Sequence, residues 1–292
     1  MSGLPVSAHG LVHIYRLEGN DVVALSGVDL DVAAGEVVGL RGPSGSGKST
    51  LLNRFAGLLR PSAGRLTVGS HEIARMDERG LARMRAADVG VVLQGAMRNL
   101  LPYATPIDNV RFAQRGARKL VRGSDDEMDA GLLPEPDEVL GLVGLGDHAH
   151  TSLTALSPGQ RQRLAVGVGL AARPGLLLLD EPTSQLDHEG RDEVLAAVSD
   201  INRDLGTTVV AVTHDPDVAQ RLPRTVTIRD GRVGAEGRRG EDVAVVARDG
   251  SLTLPPDVLE RVPPGSLLRG TIVDEDAVRL DRTDKADRDG AA

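Results

Sequence analysis

Residues 42–49 read Gly-Pro-Ser-Gly-Ser-Gly-Lys-Ser and fit the spacing G-x-x-x-x-G-K-[ST]. In such a loop Gly42, Gly45 and Gly47 let backbone N–H groups turn inward around phosphate oxygens. Pro43, Ser44 and Ser46 fill the remaining loop positions, and Thr50 follows. A helix starting near Lys48 adds its positive N-terminal end. Lys48 is placed to reach the β- and γ-phosphates of a nucleotide, and Ser49 to ligate Mg²⁺. Farther along, Asp180 and Glu181 end the run LLLLDE. An aspartate at a strand end beside a phosphate loop holds Mg²⁺ through water. Glu181, next to it, stands where an attacking water is polarised.

These residues need elements to position them. EVVGL (36–40) is a continuous apolar run, as in a strand buried on both faces. It runs into the glycine loop, and KSTLLNRFAGLL follows with helical spacing. LVHIY (11–15), the alternating residues 28–32, GVVLQ (90–94), LLLLDE (176–181) and TTVVAVTH (207–214) read as further strands. Helices are expected over 158–172, with Ser157 as cap and Pro158 in the first turn, and over 189–204. Strands alternating with helices predict an α/β fold with a parallel sheet. Sites on such sheets lie at the carboxyl ends of strands, where the glycine loop, Asp180, Glu181 and His214 all fall. A hairpin is expected at Arg229-Asp230-Gly231. Residues 234–242, GAEGRRGED, read as a linker; 243–282 read as a small β-rich unit, and 283–292 as a disordered tail.

Composition narrows the function further. The 292 residues include no cysteine, which excludes disulfides, thiolate zinc sites and thiol catalysis. His148 and His150 form an H-x-H pair without an evident third ligand and read as loop residues. No apolar run reaches the ~18 residues of a membrane span, and the first residues do not form a secretory signal. A cytoplasmic chain is expected. The net charge of −8 and only two Tyr, two Phe and no Trp argue against nucleic-acid binding.

With these motifs in place, the chain resembles the ATP-binding-cassette (ABC) ATPases over roughly residues 8–233. Gly42–Thr50 is similar to the family's P-loop, and LLLLDE to its Walker B strand with the following glutamate. Gln94 matches the Q-loop glutamine, which senses Mg²⁺ and the attacking water. LSPGQ (156–160) resembles the signature LSGGQ, with Pro158 in place of its first glycine. Ser184–Asp187 matches the D-loop and His214 the switch histidine at the γ-phosphate. Tyr15 occupies the place of the aromatic that stacks on adenine. The resemblance implies a P-loop NTPase cassette with a RecA-like parallel core, an antiparallel β subdomain and an α-helical signature subdomain at about 97–172. It implies catalytic roles for Glu181, His214 and Gln94, and a Mg²⁺ site of Ser49, Gln94 and Asp180. ATP contacts are implied for Tyr15, residues 42–50, Ser157, Gly159, Gln160 and Asp187.

In this family the P-loop of one subunit and the signature of another enclose each ATP, so the resemblance implies a dimer with a second copy. The stretches at 42–64 and 90–110 are similar to the lipoprotein-release, macrolide-export and cell-division branch (LolD-, MacB- and FtsE-type). That branch implies an FtsX-like integral membrane permease as partner, export as the process, and a peripheral place on the cytoplasmic face of the cell membrane. Residues 95–112 are the expected grip on the permease. An alternative in the same branch is a mechanical signalling ATPase that transports nothing; a soluble ABC ATPase is the third reading. Residues 243–282 resemble the AbrB-like swapped-hairpin fold. The stretch 241–292 holds seven basic and twelve acidic residues, which argues against phosphate contacts; a dimerisation or regulatory appendage is expected there, with an inert add-on as the alternative.

Overall fold

A computed structural model describes residues 3–17, 19–121, 133–238, 241–246, 250, 252–254, 256–263, 265–274 and 277–283. The strands are β1 (Val6–Leu17), β2 (Asn20–Val32), β3 (Val37–Arg41), β4 (Ala63–Val68), β5 (His71–Glu72), β6 (Val89–Val92), β7 (Leu176–Asp180), β8 (Thr208–Val212), β9 (Arg224–Arg229), β10 (Arg232–Arg238), β11 (Glu241–Val246), β12 (Leu252–Thr253), β13 (Leu267–Ile272) and β14 (Val278–Thr283). The α-helices are α1 (Lys48–Phe55), α2 (Glu78–Ala87), α3 (Pro106–Val121), α4 (Pro136–Leu142), α5 (Pro158–Leu170), α6 (His188–Leu205), α7 (Pro216–Gln220) and α8 (Pro256–Arg261).

The apolar runs become the centre of the main sheet. Its order is β12-β11-β10-β9-β3-β8-β7-β6, and β9, β3, β8, β7 and β6 run parallel. Residues in a strand alternate between faces, and here both faces are covered. Leu176 and Leu178 enter one core with α1 and the antiparallel sheet β2-β1-β4-β5. Leu177 and Leu179 enter a second core with residues of α3, α4, α5 and α6. All four leucines are fully buried, and burial of each stabilises the fold by about 2 kcal/mol.

The first strands are longer than their apolar runs predict. β1 begins at Val6 rather than residue 11, with register shifts near Gly10 that break the alternation a sequence pattern relies on. The hairpin at 229–231 forms as expected: Arg229 pairs with Arg232, and Asp230 and Gly231 take φ of 48° and 71°.

The linker expected at 234–242 is not a linker. Residues 234–238 belong to β10, which pairs antiparallel with β9, and β11 pairs with β10. Val233, Gly234, Ala235 and Gly237 are buried. Arg224 on β9 holds Glu236 on β10 at 2.7 Å and Glu36 at 3.2 Å. The stretch looks polar, yet the Glu236 carboxylate is matched across the strand pair. The main sheet therefore extends past 233, and β11–β12 form its edge. β13 and β14 make a separate hairpin. Of the tail expected at 283–292, only Thr283 lies among the described residues; the acidic residues 125–127, whose charges read from the sequence as solvated surface, lie outside them.

Candidate functional site

The loop between β3 and α1 needs its glycines. Gly42 has φ of 144° and Gly47 of 102°. A Cβ on Gly42 would lie 2.1 Å from the Ile228 carbonyl oxygen, and one on Gly47 2.4 Å from that of Ala24. The loop is thus packed down on its outer side. At Gly45 a Cβ would meet nothing within 4 Å, so the backbone there faces open space. Ser46 is buried and its Oγ has no hydrogen-bond partner.

Lys48 begins α1 and turns its Nζ back to donate to the Gly42 and Pro43 carbonyls at 2.8 and 2.7 Å. Burial lowers its pKa, and the nearby Glu181 and Asp180 carboxylates work against that. Next to it, Ser49 Oγ donates to Asp180 Oδ1 at 3.2 Å. Burial raises the Asp180 pKa, and the Ser49 hydroxyl offsets part of the rise. A hydroxyl and a carboxylate side by side are the hard oxygen donors Mg²⁺ takes, with phosphate oxygens and water completing its shell. Among the described residues no group of three or more His, Asp or Glu could hold a metal alone. The donor set fits an ion that arrives with a phosphorylated ligand.

Glu181 follows β7 and is bent into φ of 49°, rare for a residue with a side chain. Its N–H donates to the Val212 carbonyl at 3.0 Å, which ties the bend to β8. The bend delivers the carboxylate between two elements. Gln94 Nε2, just past β6, donates to Oε2 at 2.7 Å. His214 Nδ1, just past β8, lies 3.0 Å from Oε1. Neighbouring parallel strands thus bring Gln94, Glu181 and His214 to one sheet end.

One cleft of about 650 Å³ is lined by Tyr15, Ser44, Gly45, Gly47, Lys48, Ser49, Thr50, Gln94, Glu181 and His214. Tyr15 Oη sits 3.3 Å from Thr50 Oγ1. Val22, Val23 and Ala24 line it too and carried no signal in the sequence. Their place follows from register, since Val22 is the cross-strand partner of Tyr15.

Ser157, Gly159 and Asp187 line another cleft, of about 450 Å³. Ser157 caps α5 in a capping box with Gln160: Gln160 N–H donates to Ser157 Oγ at 3.1 Å, and Ser157 N–H to Gln160 Oε1 at 2.8 Å. Pro158 occupies the first helical position, where its missing N–H costs little. The Gln160 amide also meets His148 Nε2 at 3.0 Å, which gives that histidine a structural partner. Asp187 caps α6 by accepting from the Gly190 N–H at 2.9 Å. None of these residues lines the phosphate-loop cleft of the same chain.

Residues 25–184 match the family described as "ABC transporter". The chain is 44% identical over 213 residues to the lipoprotein-releasing system ATP-binding protein LolD of Anaeromyxobacter dehalogenans, covering 73% of this chain and 85% of that protein. It is 39% identical over 241 residues to the methionine import ATP-binding protein MetN 2 of Pseudomonas aeruginosa, covering 82% and 68%. In structure it is similar to the ATP-binding cassette MJ0796, solved as a dimer in a post-hydrolysis state bound to ADP and Pi. That likeness has a TM-score of 0.67 and 31% identity, and covers 80% of this chain and 98% of that one.

Proposed function

The chain belongs to the ABC transporter family as an ATP-binding, ATP-hydrolysing subunit of RecA-like cassette fold, and from that premise we propose how its residues divide the work. The observation that carries the proposal is the Glu181 carboxylate, held between Gln94 and His214 beside Lys48.

ATP lies with its base against Tyr15 and its phosphates in residues 42–50. Gly45 and Gly47 offer backbone N–H groups, and Lys48 exchanges its two loop carbonyls for phosphate oxygens. Ser49 and Asp180, with Gln94 from the same cleft, would hold Mg²⁺, which would supply neutralisation of the charge developing on the phosphates. Glu181 is the general base for the attacking water. Gln94 and His214 fix both of its oxygens, so little reorientation is needed when water arrives.

The cleft lacks the signature residues of its own chain, so a second copy supplies Ser157, Gly159, Gln160 and Asp187. The isologous pair encloses two ATP, and closure follows from differential contacts to the γ-phosphate. No described helix is long and apolar enough to cross a membrane; the partner is an integral membrane permease. The 44% identity to one lipoprotein-releasing protein, with the likeness of residues 42–64 and 90–110 to that branch, supports an FtsX-like, export-type permease. Met97, Tyr103 and Phe112 are exposed within 95–112, Tyr103 by 85%, and this surface grips it. The 243–282 segment serves dimerisation. In β13–β14, Ile272 and Val278 pair across the strands and stay exposed, as apolar residues awaiting cover do. Deleting 265–292, which leaves the β11–β12 edge of the main sheet in place, then shifts the nucleotide-free protein toward monomer in light scattering; an unchanged balance removes that role.

The decisive experiment isolates tagged Glu181→Gln protein from its own membranes in ATP and identifies what co-purifies. A stoichiometric polytopic protein with a large extracytoplasmic domain is expected. A soluble dimer without membrane partner in several detergents rejects the permease assignment.

A further inference from the structure

Among the described residues Arg54 is the largest of the fully buried side chains, at 0% exposure. None of its Nε, Nη1 and Nη2 atoms has a hydrogen-bond partner. Burial pushes its pKa down, and the neighbouring Tyr15 hydroxyl works against the drop without reaching hydrogen-bond geometry. A buried cation left so is costly, and an apolar side chain of similar size is ordinarily more stable there. The helix does not require it, since Leu51, Leu52 and Phe55 already fill the core side of α1.

What the guanidinium does meet is an aromatic face. Its Cζ lies 5.9 Å from the Tyr15 ring centroid. Thr50 stands one turn earlier on α1, on the same face, and its Oγ1 lies 3.3 Å from the Tyr15 hydroxyl. The His13 ring meets the Tyr15 ring edge-on, with centroids 4.6 Å apart and an interplanar angle of 83°. Burial and the Arg54 charge together lower the His13 pKa, which favours a neutral, packed imidazole. Tyr15 is therefore fixed from three directions while it lines the nucleotide cleft.

We propose that Arg54 is a positioning residue for base binding: its guanidinium pins the Tyr15 ring by a desolvated cation–π contact and makes it a better stacking partner for an electron-rich purine in the cleft. A cation over a ring draws on its π density, and a second aromatic system stacks more favourably on the depleted ring. The inference rests on the assignment of Tyr15 to the base given above.

Calorimetric titration of the full-length protein with Mg-ATP and with Mg-tripolyphosphate, which has no base, tests it. Arg54→Met is expected to weaken ATP about tenfold, the worth of a desolvated cation–π contact, and to leave tripolyphosphate unchanged. The same variant is expected to melt higher, because the unpartnered charge is gone. Arg54→Lys restores most of the ATP affinity. In a Tyr15→Leu background Arg54→Met has no further effect. Arg54→Leu is the second neutral variant should Arg54→Met not fold. ATP binding as tight as that of the parent in both neutral variants overturns the proposal, as does an equal loss for ATP and tripolyphosphate. If Tyr15→Leu leaves ATP affinity intact, the base assignment itself fails. If Tyr15→Leu weakens ATP while the Arg54 variants do not, only the role of Arg54 falls.

Discussion

Glu181 Oε1 lies 3.0 Å from His214 Nδ1, although the two residues follow different strands. The parallel pairing of β7 with β8 sets that distance: Asp180 is level with Val212, so the residues just beyond them emerge together. His214 is largely open to the cleft mouth while Glu181 is mostly covered. The histidine is therefore more accessible to a ligand than the carboxylate is.

Replacing Glu181 by glutamine keeps the shape and removes the carboxylate proposed as the base. ATP turnover is expected to fall by about 10²–10⁴-fold, and the ATP-bound dimer to persist in size-exclusion chromatography with light scattering. Unchanged turnover would take Glu181 out of the base role.

Lys48→Ala leaves the Gly42 and Pro43 carbonyls without the ammonium that now meets them at 2.8 and 2.7 Å. It also removes the one cation within the loop. ATP affinity measured by calorimetry is expected to drop about a hundredfold, in the range of a lost pair of charge-assisted hydrogen bonds. Retained affinity would count against the phosphate loop.

Acid sensitivity is expected from His13. Its folded pKa lies below the ordinary 6.5, chiefly through burial and then through Arg54. Above that value both folded and unfolded chains are neutral there, and the folded state is favoured in full. As the pH falls below it, the unfolded chain takes the proton first, and stability declines until the folded pKa is passed. Melting temperatures between about pH 7.5 and 5 should fall more in the parent than in His13→Gln. Parallel curves would remove His13 as the source.

Arg224→Met leaves Glu36 and Glu236 without the guanidinium that both contact. The expected loss is about 3 kcal/mol, the usual cost of breaking a largely buried pair from one side. Denaturant unfolding measures it. Hydrogen exchange should rise first across 232–238, because Glu236 sits on that strand. A loss below about 0.5 kcal/mol would mean that strand pairing alone holds β10.

The local chemistry was written in the chain itself. Gly42–Ser49 is legible because the loop needs its own glycines, and its lysine follows at once in the helix it starts. The strands at 176–180 and 208–212 are legible because burial on both faces leaves unbroken apolar runs. The capping of α5 by Ser157 is likewise a contact three residues long. Such features depend on neighbours in sequence, and a single chain reports them directly.

Tertiary structure decided what those features meet. Nothing local brings Gln94 to Glu181, or Ser49 to Asp180; the order β3-β8-β7-β6 does. Residues 234–238 carry the glycines and charges of a linker, and only the distant Arg224 and the open edge of β9 turn them into a strand. An arginine such as Arg54 ordinarily reads as a solvated charge on a helix. That it lies buried under Tyr15 depends on how the antiparallel sheet closes over α1, because burial belongs to the packing of both elements and to the sequence of neither alone.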